Sequence, residues 1–333
     1  MGADAARGEG RSGSGGDHES RQAHERTGSA VTAASPPPLP VILNPTARHG
    51  EVGRRIGPMK AAFARRSLQV EVVESRSEAH AGELAAEFAG RGAPLVVSLG
   101  GDGLVRAVGA GLLGTQTSLG IIAGGRGNDF IAKLGIPKDV EAAVSVIADG
   151  YDLAIDTLDL DGLICVGNVS LGLDTTVQDY ADSTRRIKGH WVYLYGLIRA
   201  IRRPTPIDLV LTVDGERRGF HGLSAGFANS GRYGGGLKLS PDAQVDDGLI
   251  DVVLFEDTLV PRLAAELVSF MLVRLGWHPH ISLSHATEIR IDTPPGVDPV
   301  VIMADGDAVA RTPATLTIRP ASLKVRVPQD RRA

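Results

Sequence analysis

The chain has 333 residues, 35 Lys+Arg against 39 Asp+Glu, 43% hydrophobic residues and one Cys, enough for one large domain or two ordinary ones. Cys165 has no second cysteine, which excludes an intrachain disulfide and a Cys-based zinc finger and points to a reducing cytosol. A net charge of −4 argues against a dedicated nucleic-acid binder. No apolar run reaches the roughly 18–20 residues that span a bilayer, because the stretch from Leu267 to Trp277 is broken by Arg274. A soluble, cytoplasmic protein is therefore expected.

Residues 2–30 hold no Val, Ile, Leu, Met, Phe, Trp or Tyr and are rich in Gly and charge, so residues 1–38 read as a disordered leader ending in the Pro36–Pro40 run. From Leu39 onward short aliphatic runs alternate with helical patterns, the signal for crossover units and a parallel sheet. The pattern predicts strands over Val41–Leu43, Gln69–Val73, Leu95–Leu99 and Ser118–Ile122, with helices over Val52–Arg66 and Ser77–Ala89 and after each of the last two strands. Beyond Tyr151 strands dominate: Ala154–Leu160, Leu163–Val169, Ile207–Val213, Phe220–Ala228, Leu249–Phe255, Glu288–Ile291 and Val300–Met303, interrupted by helices over Thr184–Ile201 and Leu259–Leu275. Thr315–Ile318 and Leu323–Val327 are two last strands that could join either half.

Three glycine-bearing loops end strands of the first half: NPTARHG at Asn44–Gly50, GGDG at Gly100–Gly103 and GGRGND at Gly124–Asp129. Glycines let a backbone approach phosphate, and a following helix offers unpaired N–H groups. Three such loops at successive strand ends point to a phosphate-bearing ligand. Asp102 suits either a divalent cation carried by a nucleotide or a helix N-cap, and Asp129 reads better as a cap. GAGLLG (Gly109–Gly114) spells a dinucleotide fingerprint but falls late in a helix, and GLSAG around Ser224 lies inside a strand pattern with no helix after it. His278 and His280 lack a third ligand nearby. No Walker motif is present.

GGDG, LGIIAGGRGNDF, GFANSGRYGGGLKLSPDAQVDDGLIDV and MADGD, in that order, resemble the motif series of the diacylglycerol kinase catalytic-domain family, which includes soluble bacterial lipid kinases and sphingosine kinases. The resemblance spans about Val41 to Pro328. It implies a phosphofructokinase-like, three-layer α/β ATP-binding domain over residues 39–153, completed by residues 314–328. It further implies a β-sandwich-rich lipid domain over 154–313 and a tail at 329–333. ATP would be held by Asn44, Pro45, Thr46, Ala47, Arg48, Ser75, Gly100, Gly101, Asp102, Gly103, Leu104, Val105, Arg106 and Arg126. A structural Mg2+ would be bound by Gln244, Asp247 and Leu249, although an Asx-turn at Asp247–Gly248 explains the same residues equally well. Asp307 would be the general base, where the residues alone read as an Asp-Gly-Asp turn.

Three positions depart from the family pattern: Leu104 and Arg126 stand where Thr is usual, and Asp307 is one methylene shorter than the expected Glu. Arg126 could replace a hydroxyl contact by a charge-assisted bond. Arg185, Arg186, Lys188, Arg199, Arg202 and Arg203 surround WVYLYGLI without an acid, which suits an anionic membrane surface or a basic-ended helix packed on the sandwich. The reading is an ATP-dependent kinase of a lipid hydroxyl, diacylglycerol foremost, that visits the membrane transiently. Its partners are ATP and a lipid, with a homodimer as a candidate assembly. The rivals are a soluble NAD-type kinase and a family member that binds without turnover.

Overall fold

The computed structural model describes residues 37–45, 52–125, 129–173, 175, 177, 205–233, 237–238, 240, 242–258 and 280–332. Residues 37–333 form one compact unit. Residues 1–36 of the leader, Thr46–Arg48, Arg126 and the two helices expected over Thr184–Ile201 and Leu259–Leu275 lie outside the described residues. Among the described residues no helix is long and apolar enough to cross a membrane.

The first half runs β1 (Leu39–Leu43), α1 (Gly53–Arg65), β2 (Val70–Glu74), α2 (Glu78–Gly90), β3 (Leu95–Gly100), α3 (Asp102–Leu112), β4 (Ser118–Ala123), α4 (Asp129–Lys133) and α5 (Val140–Asp149). Strands pair in parallel in the order β2-β1-β3-β4. Strands β1, β3 and β4 are buried on both sides because both faces are covered, whereas the outer strand β2 carries the exposed Glu71 and Glu74. Ile42, Val96 and Ile121 pack with Ala81, Ala85, Val108 and Leu112 of α2 and α3. Val41, Val97 and Ile122 pack with Met59 and Phe63 of α1 and Val144 and Ile147 of α5. The result is a three-layer α/β arrangement, and each fully buried aliphatic side chain contributes about 1.5–3 kcal/mol to holding it.

The second half runs β5 (Tyr151–Leu160), β6 (Leu163–Cys165), β7 (Asn168–Gly172), β8 (Ile207–Val213), β9 (Glu216–Ala228), β10 (Arg232–Tyr233), β11 (Leu237–Lys238), β12 (Ile250–Glu256), β13 (Ile281–Ala286), β14 (Glu288–Asp292), β15 (Val301–Ala304), β16 (Asp307–Arg311) and β17 (Ala314–Val327). The strands β8, β9, β7, β15 and β16 are successive antiparallel neighbours, and β12 and β13 extend from β9. Leu171, Leu211, Phe227, Leu254, Ile289 and Ile302 form the centre of this β-sandwich core.

Two long strands join the halves. The start of β5 pairs with the end of β17, from Tyr151↔Val327 to Ile155↔Leu323, and its far end pairs with the start of β17 up to Leu160↔Leu316. Between them lies a bulge at Arg319–Leu323. Strand β17 also runs beside β4 at Val325↔Leu119 and beside β14. The two strands expected at Thr315–Ile318 and Leu323–Val327 are thus one bulged strand.

The single strand expected over Leu163–Val169 is two, β6 and β7, for an electrostatic reason. Asp305 directs its carboxylate into the break, where Oδ2 accepts from the Val166 N–H (3.0 Å) and Oδ1 from Gly167 (2.7 Å) and Asn168 (3.1 Å). Those N–H groups are therefore withdrawn from the ladder. A Cβ on Gly167 would lie 2.6 Å from that Oδ1, so the approach needs glycine.

Candidate active site

Two of the three phosphate-loop candidates, GGDG and the start of GGRGND, meet at the carboxyl ends of β3 and β4, while the NPTARHG loop beyond Pro45 lies outside the described residues. The Gly124 N–H donates to the Gly100 carbonyl at 2.7 Å. A Cβ on Gly124 would sit 2.9 Å from the Gly100 Cα, and one on Gly101 3.2 Å from the Gly125 Cα. The two loops touch backbone to backbone, which side chains would prevent. Gly101 is the N-cap of α3 without a side-chain cap, and Asp102 opens the first turn. The positive end of a three-turn helix thus faces the loop edge.

The side chains of Leu104 and Val105 are buried in the hydrophobic core, so backbone is what these positions can offer a phosphate. Ser75, also buried, donates its hydroxyl to the Leu43 carbonyl at 3.1 Å, beside Asn44 and Pro45 at the end of β1. Two of the GAGLLG glycines have a packing role: Gly109 lies against Leu323, and Gly111 faces the backbone of Gly82, where α3 crosses α2. Ser224 is buried within β9.

The acidic hairpin of the second half lies over the GGDG loop. Asp305 (φ 49°) and Gly306 (φ 93°) have the backbone of a two-residue type I′ turn between β15 and β16. Asp305 faces inward to the β6–β7 break, and Asp307 faces the opposite half. A Cβ on Gly103 would lie 2.5 Å from Glu78 Oε1 and 3.3 Å from Asp307 Oδ2. Glu78 stands there because Ser77 caps α2, accepting from the His80 N–H at 3.1 Å, which places Glu78 in the first turn.

Arg106 of α3 connects these acids. Its Nη1 donates to the Ala304 carbonyl at 3.0 Å, and Nη2 donates to Glu78 Oε2 at 2.7 Å and to Asp307 Oδ2 at 3.2 Å. Its side chain is 6% exposed, against 52% for Glu78 and 55% for Asp307. Burial works against the guanidinium charge, but Glu78, Asp305 and Asp307 outweigh it and hold Arg106 above its ordinary value. Burial pushes the Asp305 carboxyl upward, while Arg106 and the three backbone N–H groups pull the other way. Sequence reasoning named Arg106 for the nucleotide, but its enclosed guanidinium is taken up by Glu78, Asp307 and the Ala304 carbonyl instead; it named Asp307 and missed Glu78 and Asp305. Only the DG pair signalled Asp305, and it signalled a turn.

At the candidate metal position, Asp247 Oδ1 accepts from the Leu249 N–H at 3.0 Å, so residues 247–249 form an Asx turn. A carboxylate accepting one N–H keeps lone pairs for a hard cation, and Gln244 and Asp247 are exposed. Among the described residues no three His, Cys, Asp or Glu side chains cluster as a metal site. The segment is anchored by Asp156, whose carboxylate accepts from Gly248 and Ala321 N–H groups, both at 2.7 Å. Lys133 of α4 donates to the Ala243 carbonyl.

A three-layer α/β half with glycine loops at its sheet edge is thus joined to a β-sandwich half that offers an acidic hairpin to those loops. Residues 38–160 match the model of the diacylglycerol kinase catalytic domain, and residues 167–327 match that of the YegS C-terminal NAD kinase beta sandwich-like domain. The chain is 30% identical over 298 residues to the diacylglycerol kinase of Mycobacterium tuberculosis (strain ATCC 25618 / H37Rv), covering 86% of this chain and 94% of that protein. It is 27% identical over 244 residues to a "Probable lipid kinase YegS-like" of Klebsiella pneumoniae (strain 342), covering 71% and 78%. The crystal structure of a diacylglycerol kinase from Bacillus anthracis str. Sterne has the same fold, with a TM-score of 0.67 at 19% identity over 88% of this chain and 97% of that one. The chain belongs to the diacylglycerol kinase catalytic-domain family.

Proposed function

We propose that the protein transfers the γ-phosphoryl group of ATP to a lipid hydroxyl, with diacylglycerol as acceptor and phosphatidic acid as product. Residues 39–153 with 314–328 would bind the nucleotide, and residues 154–313 the lipid. The observation that carries this reading is the stacking of Asp307 over Gly103: a carboxylate from the sandwich stands directly above the phosphate-loop candidate. In the transfer, the bond from the γ-phosphorus to the leaving ADP oxygen breaks, the lipid oxygen–phosphorus bond forms, and the hydroxyl proton passes to Asp307. Such chemistry asks the protein mainly for positioning and charge neutralisation. The N–H groups at the start of α3 and the glycine loops at Gly100–Gly103 and Gly124–Gly125 would orient the phosphates, and Asn44–Arg48, Ser75 and Arg126 are the further candidates for holding them. Mg2+ accompanying ATP would neutralise triphosphate charge, Asp102 being its candidate ligand. A structural Mg2+ at Gln244, Asp247 and Leu249 is compatible with the exposed Asx turn. The basic segment Arg185–Arg203 and a transient stay at the membrane complete the proposal.

The test offers labelled ATP with diacylglycerol, sphingoid bases and NAD to the parent chain and to Asp307→Asn. Lipid labelling by the parent, lost in the variant at unchanged ATP affinity, is the expected result. Labelling of NAD alone would favour a soluble-metabolite kinase. ATP binding without any labelled acceptor would favour a member that binds without turnover, a reading to which the buried Leu104 and the short Asp307 lend weight.

A further inference from the structure

Resting on the kinase reading, we propose that Arg106, braced by Glu78, is a positioning residue that fixes the shortened acid Asp307 above Gly103. Asp307 stands on a two-residue hairpin with its side chain 55% exposed, and a displacement of about 1 Å at a reacting group costs on the order of 100-fold in rate. The hairpin must therefore be drawn toward the GGDG loop, and Arg106 does this at two points, through the Ala304 carbonyl ahead of the turn and Asp307 behind it.

The direction of the guanidinium supports the same role. It is nearly enclosed, and its Nη2 is shared between two carboxylates. Its position within α3, one turn after Gly103, ties the acid to the same rigid element that begins at the phosphate-loop candidate. Glu78 supplies the counterweight from α2. Two carboxylates crowded over one glycine repel each other, and the guanidinium between them turns that repulsion into a three-point clamp. Asp305 beneath the turn adds further negative charge facing Arg106.

The test measures kcat, KM for ATP and KM for the lipid on the full chain, with ATP affinity read separately by calorimetry. Arg106→Gln is expected to lower kcat by about 10–100-fold while KM and affinity for ATP stay within about threefold. Arg106→Lys, which keeps the charge but loses the fork, should fall between. Asp307→Glu in the Arg106→Gln background should restore at least about tenfold of the lost rate, because the longer side chain recovers the reach. The same change in the parent should give no comparable gain. Should Arg106→Gln fail to fold, Glu78→Gln, altering an exposed partner, is expected to lower kcat alone. Unchanged kcat in either variant overturns the proposal, as does a parallel loss of ATP affinity that Asp307→Glu does not relieve. A parent that labels no lipid overturns the kinase reading itself, whereas a parent that labels lipid beside an unimpaired Arg106→Gln overturns only the clamp.

Discussion

Replacing Asp305 tests whether the β6–β7 break is held by one inward-facing carboxylate. In Asp305→Ala the N–H groups of Val166, Gly167 and Asn168 lose their acceptors together. All three residues are buried. A stranded buried donor costs about 1–3 kcal/mol. Water entering beside the exposed Gly306 recovers part of this, leaving about 3–5 kcal/mol for the three. At about 2–4 °C per kcal/mol for a chain of this size, Tm should fall by about 10 °C. Asp305→Asn is the informative partner. An amide oxygen in the Oδ1 position still accepts from Gly167 and Asn168, while its NH2 opposes the Val166 N–H, so the loss should be smaller. Differential scanning calorimetry on the three proteins reads the order directly. A loss below about 1 kcal/mol for the alanine variant, or an asparagine variant less stable than it, would refute the reasoning.

Gly124→Ala should force apart the ends of β3 and β4, since its Cβ would meet backbone that cannot rotate away. We expect a loss of about 1–3 kcal/mol in stability and a clear fall in ATP affinity by calorimetry. Gly90→Ala at the end of α2, where a Cβ meets nothing within 4 Å, should instead raise stability by about 0.4–1 kcal/mol. Asp214 in the β8–β9 turn accepts from the Thr287 and Glu288 N–H groups, which hold its carboxyl below the ordinary Asp value. Its contribution is therefore present above the unfolded value near pH 3.9 and disappears as pH falls through the depressed folded one. Asp214→Ala should lose about 1 kcal/mol or less at pH 7, given its solvent exposure, with parent and variant converging below about pH 4. A gap that widens on acidification would contradict this.

The alternation of apolar strands with helical patterns made the parallel sheet legible, because strands covered on both faces must be apolar throughout. Strand β8 runs over Ile207–Val213 as expected, since its sides alternate and a DG pair closes its turn. Strand β13 carries no such signal: among the described residues it pairs only with β12, and its residues 282–285 are exposed, so no alternation betrays it. The glycine loops could be read from sequence, but their mutual contact could not, since backbone proximity between Gly100 and Gly124 leaves no residue pattern.

Local chemistry in the chain itself decided the turns, the caps and the apolar faces, because each depends on neighbours a few positions away. Only tertiary structure decided where the charges converge. Asp305 reaches the break 139 residues back along the chain, and Arg106 reaches Asp307 across 201. A carboxylate's partners over such separations are set by how β17 and β5 lay one half against the other, and no spacing in the sequence encodes that geometry.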